Sequence, residues 1–230
     1  MTKRTISLYT AVFALICFTA NMAWAIPNTL TPDEKKAGWK LLFDGKTLKG
    51  WKVVGNLKGW IAEDGAILNL AKDGGYLATE KQFGNFSLSL EFKLVPHTNS
   101  GIFFRWADLD DPVDTGIEMQ LLDSYGVKNP SKYDCGAIYD CLAPRKNACK
   151  PAGQWNKVAI TCLNNLIWVD MNGKRINYMN LDRWTVPHRN PDGTQNKFRN
   201  AYKDMPRKGH IGLQDHGNKI WFRNIKIRPL

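Results

Sequence analysis

Short runs in which apolar and polar residues alternate follow one another along most of the chain. The clearest is Phe86–Leu94, where four polar residues separate five apolar ones. This period of two is typical of a β-strand with one face against a core. Similar runs recur at roughly 8–12-residue spacings, which is typical of all-β domains. The dipeptides Asp64-Gly65 and Asn172-Gly173 separate neighbouring runs and predict tight two-residue hairpins.

Helical character is confined to a short stretch that precedes these alternating runs. Residues 31–36 have the composition of a helix start, and no sustained 3.6-residue period follows them. No internal repeat and no linker divides the chain. The pattern therefore predicts one all-β domain over residues 26–230, an antiparallel β-sandwich or jelly roll.

Three of the predicted strands carry unusual polar side chains on one face. They lie in residues 101–106, 116–123 and 210–216, where apolar positions alternate with charged or amide side chains. A half-buried strand normally presents simpler polar residues to water, so these side chains suggest a function. If the three strands belong to one sheet, its open face gathers a candidate site made of Arg105, Glu118, Gln120, Gln214 and His216.

One long segment, residues 180–208, lacks any convincing periodicity. It is basic and holds Trp184, His188 and several prolines. Irregular segments of this length in compact domains are usually binding loops or lids, or else disordered. All three alternatives stay open from the sequence.

The first 25 residues have the pattern of a secretory signal peptide. Lys3 and Arg4 precede an apolar run from Leu8 to about Ala20, and Ala23-Trp24-Ala25 matches a cleavage site. The apolar run is too short to indicate a membrane span. We therefore expect cleavage after Ala25, a periplasmic or secreted protein, and no stable membrane insertion afterwards.

Cysteine usage agrees with an oxidising compartment. Removal of the leader takes Cys17 with it and leaves an even number of cysteines, which is typical of disulfide-containing secreted proteins. Cys141–Cys149 is the favoured pair, because a short loop joins them, with buried thiols as the alternative. No spacing typical of a zinc site occurs among Cys135, Cys141, Cys149 and Cys162.

The basic balance of the chain does not by itself indicate a nucleic-acid partner. The formal charge is +11, and it becomes +9 when Lys3 and Arg4 leave with the predicted leader. The basic residues are scattered, without a dense run or a nucleic-acid motif. We expect no nucleic-acid binding.

Six segments follow one another along the chain as a set of motifs: residues 42–45 with Gly50-Trp51, 99–105, 116–123, 136–139, 209–217 and 222–225. Together they resemble the 3-keto-disaccharide hydrolase domain family, long a domain of unknown function with a concanavalin A-like jelly-roll fold. The resemblance covers nearly the whole chain after residue 39. It implies a secreted or periplasmic protein that acts on 3-keto-glycosides.

The chemistry of such a substrate defines what a site must supply. A ketone at C3 acidifies the C2 proton, so a base can form an enolate that expels the glycosidic oxygen from C1, and water then adds. Glu118 or His216 could act as base or acid, and Arg105 could stabilise the enolate. Gln120 and Gln214 could hold hydroxyl groups.

A divalent metal is an alternative to Arg105 in stabilising the enolate, with Glu118, Asp123 and His216 as candidate ligands. The sequence does not decide between them, and a metal requirement stays unknown. The other candidate substrate contacts are Tyr139, Asp123 if a bulge follows Leu121, and Trp106 and Trp184 as platforms for sugar stacking.

Two other functions fit part of the pattern. Jelly-roll β-glucanases carry a strand of the form Glu-x-Asp-x-x-Glu, and Glu118-x-Gln120-x-x-Asp123 is similar, with an amide in place of the central carboxylate. A retaining glycosidase would need two paired carboxyls. A lectin-like carbohydrate-binding module without turnover is the third alternative, because fold alone does not fix function.

Overall fold

A computed structural model describes residues 26–230, so the predicted signal peptide lies outside the described residues. Thirteen strands are the main regular elements of this part of the chain. In chain order they are β1 (Lys40–Leu41), β2 (Trp51–Val54), β3 (Trp60–Glu63), β4 (Ala66–Asn69), β5 (Tyr76–Thr79), β6 (Phe86–Leu94), β7 (Asn99–Trp106), β8 (Ile117–Leu122), β9 (Trp155–Leu163), β10 (Leu166–Met171), β11 (Lys174–Asn180), β12 (His210–Gln214) and β13 (Ile220–Pro229).

The strands form two antiparallel sheets packed face to face. The larger sheet has the order β11-β10-β9-β6-β13-β4-β3, and β1 adds to β13. The smaller sheet has the order β2-β5-β12-β7-β8. The predicted all-β antiparallel sandwich is therefore confirmed.

The core lies between the two sheets and follows the predicted alternation. Phe92 and Phe222 from the larger sheet and Ile102, Met119 and Leu213 from the smaller one are fully buried in one continuous cluster. Each such side chain contributes about 1.5–3 kcal/mol when it leaves water. The alternate positions of the smaller sheet consequently face away from this core, and they form the surface on which the candidate site lies.

The two predicted hairpin turns are present. Asp64 and Gly65 have φ values of 48° and 73°, and Asn172 and Gly173 have 49° and 77°. Positive φ at both central positions is the requirement of the type I′ turn, which matches the twist of the flanking strands. These turns fix the registers of β3 with β4 and of β10 with β11.

Helices are short and local. The predicted helix start is confirmed as α1 (Pro32–Lys36), where Thr31 and Glu34 form a reciprocal capping box. A second helix, α2 (Pro112–Thr115), precedes β8, and short 3-10 helices span Leu181–Arg183 and Tyr202–Asp204. No helix within residues 26–230 is long and apolar enough to cross a lipid bilayer.

The long segment between β11 and β12 packs on the body of the domain. Trp184, Phe198 and Tyr202 are buried in the main core cluster. The Trp184 indole donates a hydrogen bond to Asn190 Oδ1 at 3.0 Å. Of the three alternatives considered for residues 180–208, the disordered one is therefore excluded.

The four described cysteines are buried free thiols. Cys141 lies beside Tyr202 and Trp184, whereas Cys149 lies beside Cys135. The preference for a Cys141–Cys149 pair is therefore corrected. Few residues separate Cys141 from Cys149, but the two cysteines pack against different parts of the core.

Candidate functional site

The outer face of the smaller sheet carries a cluster of polar side chains. β8, β7, β12 and β5 are neighbours in this sheet, and their registers pair Gln120 with Gly101, and Gln214 with Tyr76. Glu118 lies one outward position along β8 from Gln120, opposite Phe103. Strand alternation therefore places Glu118, Gln120 and Gln214 on one face, as the sequence pattern suggested.

Glu118 is the most perturbed acid of this face. Its side chain is 7% exposed and folds over Gly101, where a Cβ atom would lie only 2.3 Å from Glu118 Oε1. Glycine at position 101 is therefore a steric requirement of the carboxylate position. Burial raises the pKa of Glu118 to about 7, and the positive charge of Lys197 opposes part of that rise. A carboxyl group with this pKa can exchange a proton near neutral pH.

Two tyrosines surround the carboxylate. Burial, and then the negative charge of Glu118, raise the pKa of Tyr139. The pKa of Tyr76 is raised first by burial and also by Glu118, while a hydrogen bond with Gln214 opposes the rise. Both phenols therefore keep their protons and can donate hydrogen bonds at neutral pH.

Residues 135–139, called here the Tyr139 segment, run along the free edge of β8. Gly136 N donates to Gln120 O at 2.8 Å, Gln120 N donates to Ala137 O at 2.9 Å, and Tyr139 N donates to Glu118 O at 3.0 Å. These bonds cover the edge strand of the sheet. They also hold the Tyr139 side chain beside the Glu118 carboxylate.

Lys197 was not a candidate from sequence. It lies in the long segment, and its Nζ is 4.4 Å from the centre of the Tyr139 ring. Asp140 fixes this arrangement, because its carboxylate accepts bonds from Lys197 N at 2.8 Å and Tyr133 OH at 2.9 Å and pairs with Lys132 Nζ at 2.6 Å. The only sequence signal for Lys197 was its place in a long basic segment.

The two amides differ in how they are held. Gln120 is almost fully buried, and its Nε2 donates to Asn99 Oδ1 at 2.8 Å. Gln214 is half-buried, and its Oε1 has no hydrogen-bond partner among residues 26–230. A buried acceptor without a partner is costly unless something else fills the role, so Gln214 is the amide better placed to bind a ligand group.

Arg105 does not lie on this face, and the expectation that it does is corrected. The register of β7 against β12 shifts between the pairs Phe103–Gly212 and Trp106–His210, which gives β7 one extra residue. Arg105 occupies this bulge with a φ of 51°. Beyond the bulge the faces are exchanged, so the Arg105 side chain turns inward and Trp106 turns outward.

The Arg105 guanidinium instead joins the two sheets. It is fully buried, and its Nη1 donates to Asn164 O at 2.7 Å while Nη2 approaches Asn85 Oδ1 at 3.4 Å. Asn164 lies in the turn between β9 and β10 of the larger sheet. Burial lowers the pKa of Arg105, and its Nε has no partner among the described residues.

Substitution of Arg105 by alanine is expected to reduce the free energy of unfolding by about 2–4 kcal/mol, because Asn164 O would be left buried without its donor. The variant should retain near-normal kcat for its folded fraction, and Arg105→Lys should recover part of the stability. Chemical denaturation with parallel activity assays measures both quantities.

Arg223→Ala is the control for this substitution. Arg223 lies on the outer face of the larger sheet and pairs with Glu91 at 2.8 Å. Its loss should cost no more than about 1 kcal/mol. Loss of kcat in a stable Arg105→Ala protein would show instead that Arg105 takes part in the reaction.

Neither predicted tryptophan platform is available to a sugar. Trp106 is 0% exposed and packs against Phe103 and Tyr76 in a small outer cluster, with its indole N–H donating to Asp108 O. Trp184 is buried in the main core. The predictions for both side chains are corrected, since stacking requires an exposed ring face.

Asp123 and His216 lie at the edges of the polar face. Asp123 accepts a hydrogen bond from His97 N at 3.0 Å and so holds the turn between β6 and β7, which agrees with a turn role. His216 is exposed, two residues beyond the end of β12. No group of three His, Cys, Asp or Glu side chains in the described range is arranged to hold a metal, so the proposed ligands Glu118, Asp123 and His216 do not converge.

The two packed antiparallel sheets define the class of this protein as a jelly-roll β-sandwich. A family model shows the family itself. The chain belongs to the 3-keto-alpha-glucoside-1,2-lyase-like domain family, whose model matches residues 38–228. The resemblance stated from the sequence motifs is confirmed.

Individual relatives agree with this assignment. A Bacteroides thetaiotaomicron protein named 3-keto-disaccharide hydrolase is 28% identical over 84% of this chain and 79% of its own length. A Parabacteroides distasonis crystal structure, provisionally named a glycosyl hydrolase, is 36% identical with a TM-score of 0.76 and covers 84% of this chain and 99% of its own. A second structure from that organism is 27% identical with a TM-score of 0.73, over 89% and 100% of the two chains.

Proposed function

We propose that this protein is an enzyme that cleaves 3-keto-glycosides, with 3-keto-disaccharides as the natural class of substrate, in the periplasm or outside the cell. The observation that carries the proposal is Glu118, a buried carboxyl with a pKa of about 7 on the open face of the smaller sheet. The family and the Bacteroides thetaiotaomicron relative support the same substrate class. The leader pattern in residues 1–25 supports the location.

Glu118 acts as the general base. Its carboxylate takes the proton from C2, and the electrons of that C–H bond form the enolate of the C3 ketone. The enolate then re-forms the ketone as a C1–C2 double bond develops, and the C1–O bond breaks. The leaving oxygen takes up a proton, and water adds across the enone to give the free 3-keto sugar, so the net reaction is hydrolysis.

Lys197 replaces Arg105 as the group that stabilises the enolate. Its ammonium group lies near Glu118 and over the Tyr139 ring, and it is exposed to an incoming substrate. Positive charge near a developing oxyanion lowers the barrier to its formation. Gln214 supplies hydrogen bonds to sugar hydroxyls. Gln120 has a supporting role, because its hydrogen bond to Asn99 links the polar side chains of β8 and β7.

Tyr139 and His216 are the candidate proton donors for the leaving group. Tyr139 is protonated at neutral pH and lies beside the base, whereas His216 is at the exposed end of β12. The paired rings of Tyr133 and Tyr139, 5.6 Å apart between centroids, also offer the aromatic surface that Trp106 and Trp184 do not. We assign the donor role to Tyr139 and place His216 at the rim, near the leaving group.

The two alternatives receive less support. A retaining β-glucanase needs a second carboxyl beside Glu118, but Asp123 holds the turn at His97 and position 120 is an amide. A lectin-like module needs no ionisable group with a pKa near 7. In a lectin, the burial of Glu118 would destabilise the folded protein without contributing to function.

A substrate panel separates the three functions. The purified protein is incubated with a 3-keto-glucoside carrying a chromogenic aglycone, with the corresponding glucoside, and with a plain β-glucan, each with and without chelator. We expect aglycone release only from the 3-keto substrate. Release from the β-glucan would favour the glucanase, and binding without release from any substrate would favour the lectin. Loss of activity with chelator would show a metal requirement.

Substitution of Lys197 by methionine is expected to reduce kcat/KM on the 3-keto substrate by about 10–100-fold, because the enolate loses its cation. The acidic limb of the pH–rate profile should also move to higher pH, because Lys197 lowers the pKa of Glu118. Steady-state kinetics over a pH series measures both effects.

Lys203→Met is the matched control for Lys197→Met. Lys203 is exposed in the same segment and pairs with Asp204 rather than with the site. Both the rate and the pH profile should stay unchanged in this variant. An unchanged rate in Lys197→Met would remove Lys197 from the mechanism.

A further inference from the structure

Two of the four described cysteines meet at the base of the Tyr139 segment. Cys135 begins this segment, and Cys149 lies in the loop that leads into β9. Their side chains lie beside each other, close to Leu122 O and Ser124. They are 1% and 6% exposed, and both belong to the main core cluster.

The backbone on both sides of this pair is anchored to the same short stretch after β8. Cys135 N donates to Ser124 Oγ at 3.1 Å, and Asn147 Nδ2 donates to Ser124 O at 2.5 Å. Cys149 N in turn donates to Asn147 Oδ1 at 2.9 Å, and its Sγ lies 4.0 Å from Leu122 O. The backbone positions of both cysteines are therefore fixed by bonds that do not depend on their thiols.

The other two thiols have no such partner. Cys141 lies beside Tyr202 and Trp184, and burial raises its pKa to about 12. Cys162 is fully buried in β9, and burial raises its pKa to about 12 as well. Neither thiol ionises readily, and each is surrounded by core side chains.

We propose that Cys135 and Cys149 form a disulfide bond when the protein meets a disulfide oxidant, and that this bond ties the Tyr139 segment to the loop before β9. The bond closes a loop of about 15 residues, a length at which a cross-link restricts the unfolded chain substantially. It acts on the segment whose hydrogen bonds hold Tyr139 beside Glu118.

The exchange has a defined order. Cys149 is the more exposed of the two sulfurs; it loses its thiol proton to solvent, and the thiolate attacks one sulfur of an oxidant such as oxidised glutathione, releasing one glutathione thiolate that takes up a proton. Cys135 loses its proton to solvent and attacks the Cys149 sulfur of the mixed disulfide, releasing the second. The two cysteines are oxidised by two electrons, and the oxidant is reduced by two. Because both sulfurs are buried, the reaction takes place during folding or local opening.

Thiol counting and peptide mapping test the proposal. The purified protein is incubated with oxidised glutathione, its free thiols are counted after denaturation, and it is digested under non-reducing conditions for mass spectrometry. We expect the loss of two thiols and one cross-linked peptide that joins Cys135 to Cys149. Reduction should lower Tm by about 5–10 °C. The digest also assigns Cys17 separately if the leader is retained.

Single substitutions supply the controls. Cys141→Ala should still lose two thiols and keep the difference in Tm, whereas Cys149→Ala should show neither. A cross-link that contains Cys141 or Cys162, or a folded protein that keeps all its thiols under oxidant, would overturn the proposal. The peptide map of the unsubstituted protein decides the matter even if a variant fails to fold.

Discussion

Glu118→Gln is expected to lower kcat/KM on a 3-keto-glucoside by about 10³-fold, because an amide cannot accept the C2 proton. The substitution is nearly isosteric, so the contact with Gly101 and the packing of the outer face remain. In the unsubstituted protein the rate should fall as the pH drops below about 7, since the base is active only when deprotonated. Steady-state kinetics between pH 5 and 9 (about the range in which such a base titrates) measures both.

Two further variants sharpen the first result. Glu63→Gln changes an exposed carboxylate on β3 of the other sheet and should leave the rate unaltered. His216→Ala tests the rim residue, whose loss should slow substrates with poor leaving groups most. A Glu118→Gln enzyme with full activity would refute the proposed base, whatever the other variants do.

The alternation of side chains predicted most of the fold. The strand Phe86–Leu94 has the bounds that the pattern indicates, because each side chain in a half-buried strand must face either core or water. The two hairpin turns were predicted correctly for a similarly local reason. Their turn type is a property of two adjacent residues.

Arg105 and Trp106 lie on the opposite faces of the sheet from those that alternation predicts, which shows the limit of this kind of prediction. A single extra residue in β7 inverts the faces beyond it, and the sequence of β7 gives no sign of it. The residue that accommodates the bulge lies in a distant segment. Gly209 contacts the bulge so closely that a Cβ atom there would lie 2.3 Å from the carbonyl carbon of Arg105. Bulges of this kind are set by the partner strand and are read only from the structure.

The remaining site residues depend on long-range packing. Lys197 reaches Tyr139 because Asp140 binds the backbone of a segment more than fifty residues away. The high pKa of Glu118 results from its burial over Gly101 and beside the Tyr139 segment. Sequence alternation could place Glu118, Gln120 and Gln214 on one face, but burial and charge environment are properties of the assembled fold.

The same burial that makes Glu118 a base near neutral pH should make it a liability for folding. Glu118→Gln is therefore expected to raise the free energy of unfolding at pH 8 and to leave it almost unchanged at pH values below about 4.5. In the unfolded chain the carboxyl titrates near its ordinary pKa of 4.5, whereas in the folded protein it titrates at about 7. Between these values the folded state holds one more proton than the unfolded state, so stability falls as the pH rises.

The full penalty, present above pH 7, amounts to about 3 kcal/mol, and its removal should raise Tm by about 6–12 °C. Thermal unfolding of both proteins across a pH series measures the difference, with Glu63→Gln as the control whose Tm should follow that of the unsubstituted protein. Parallel curves for Glu118→Gln and the unsubstituted protein would mean that the carboxyl titrates normally in the folded state. The acidic limb of the rate profile would then have to arise from another group.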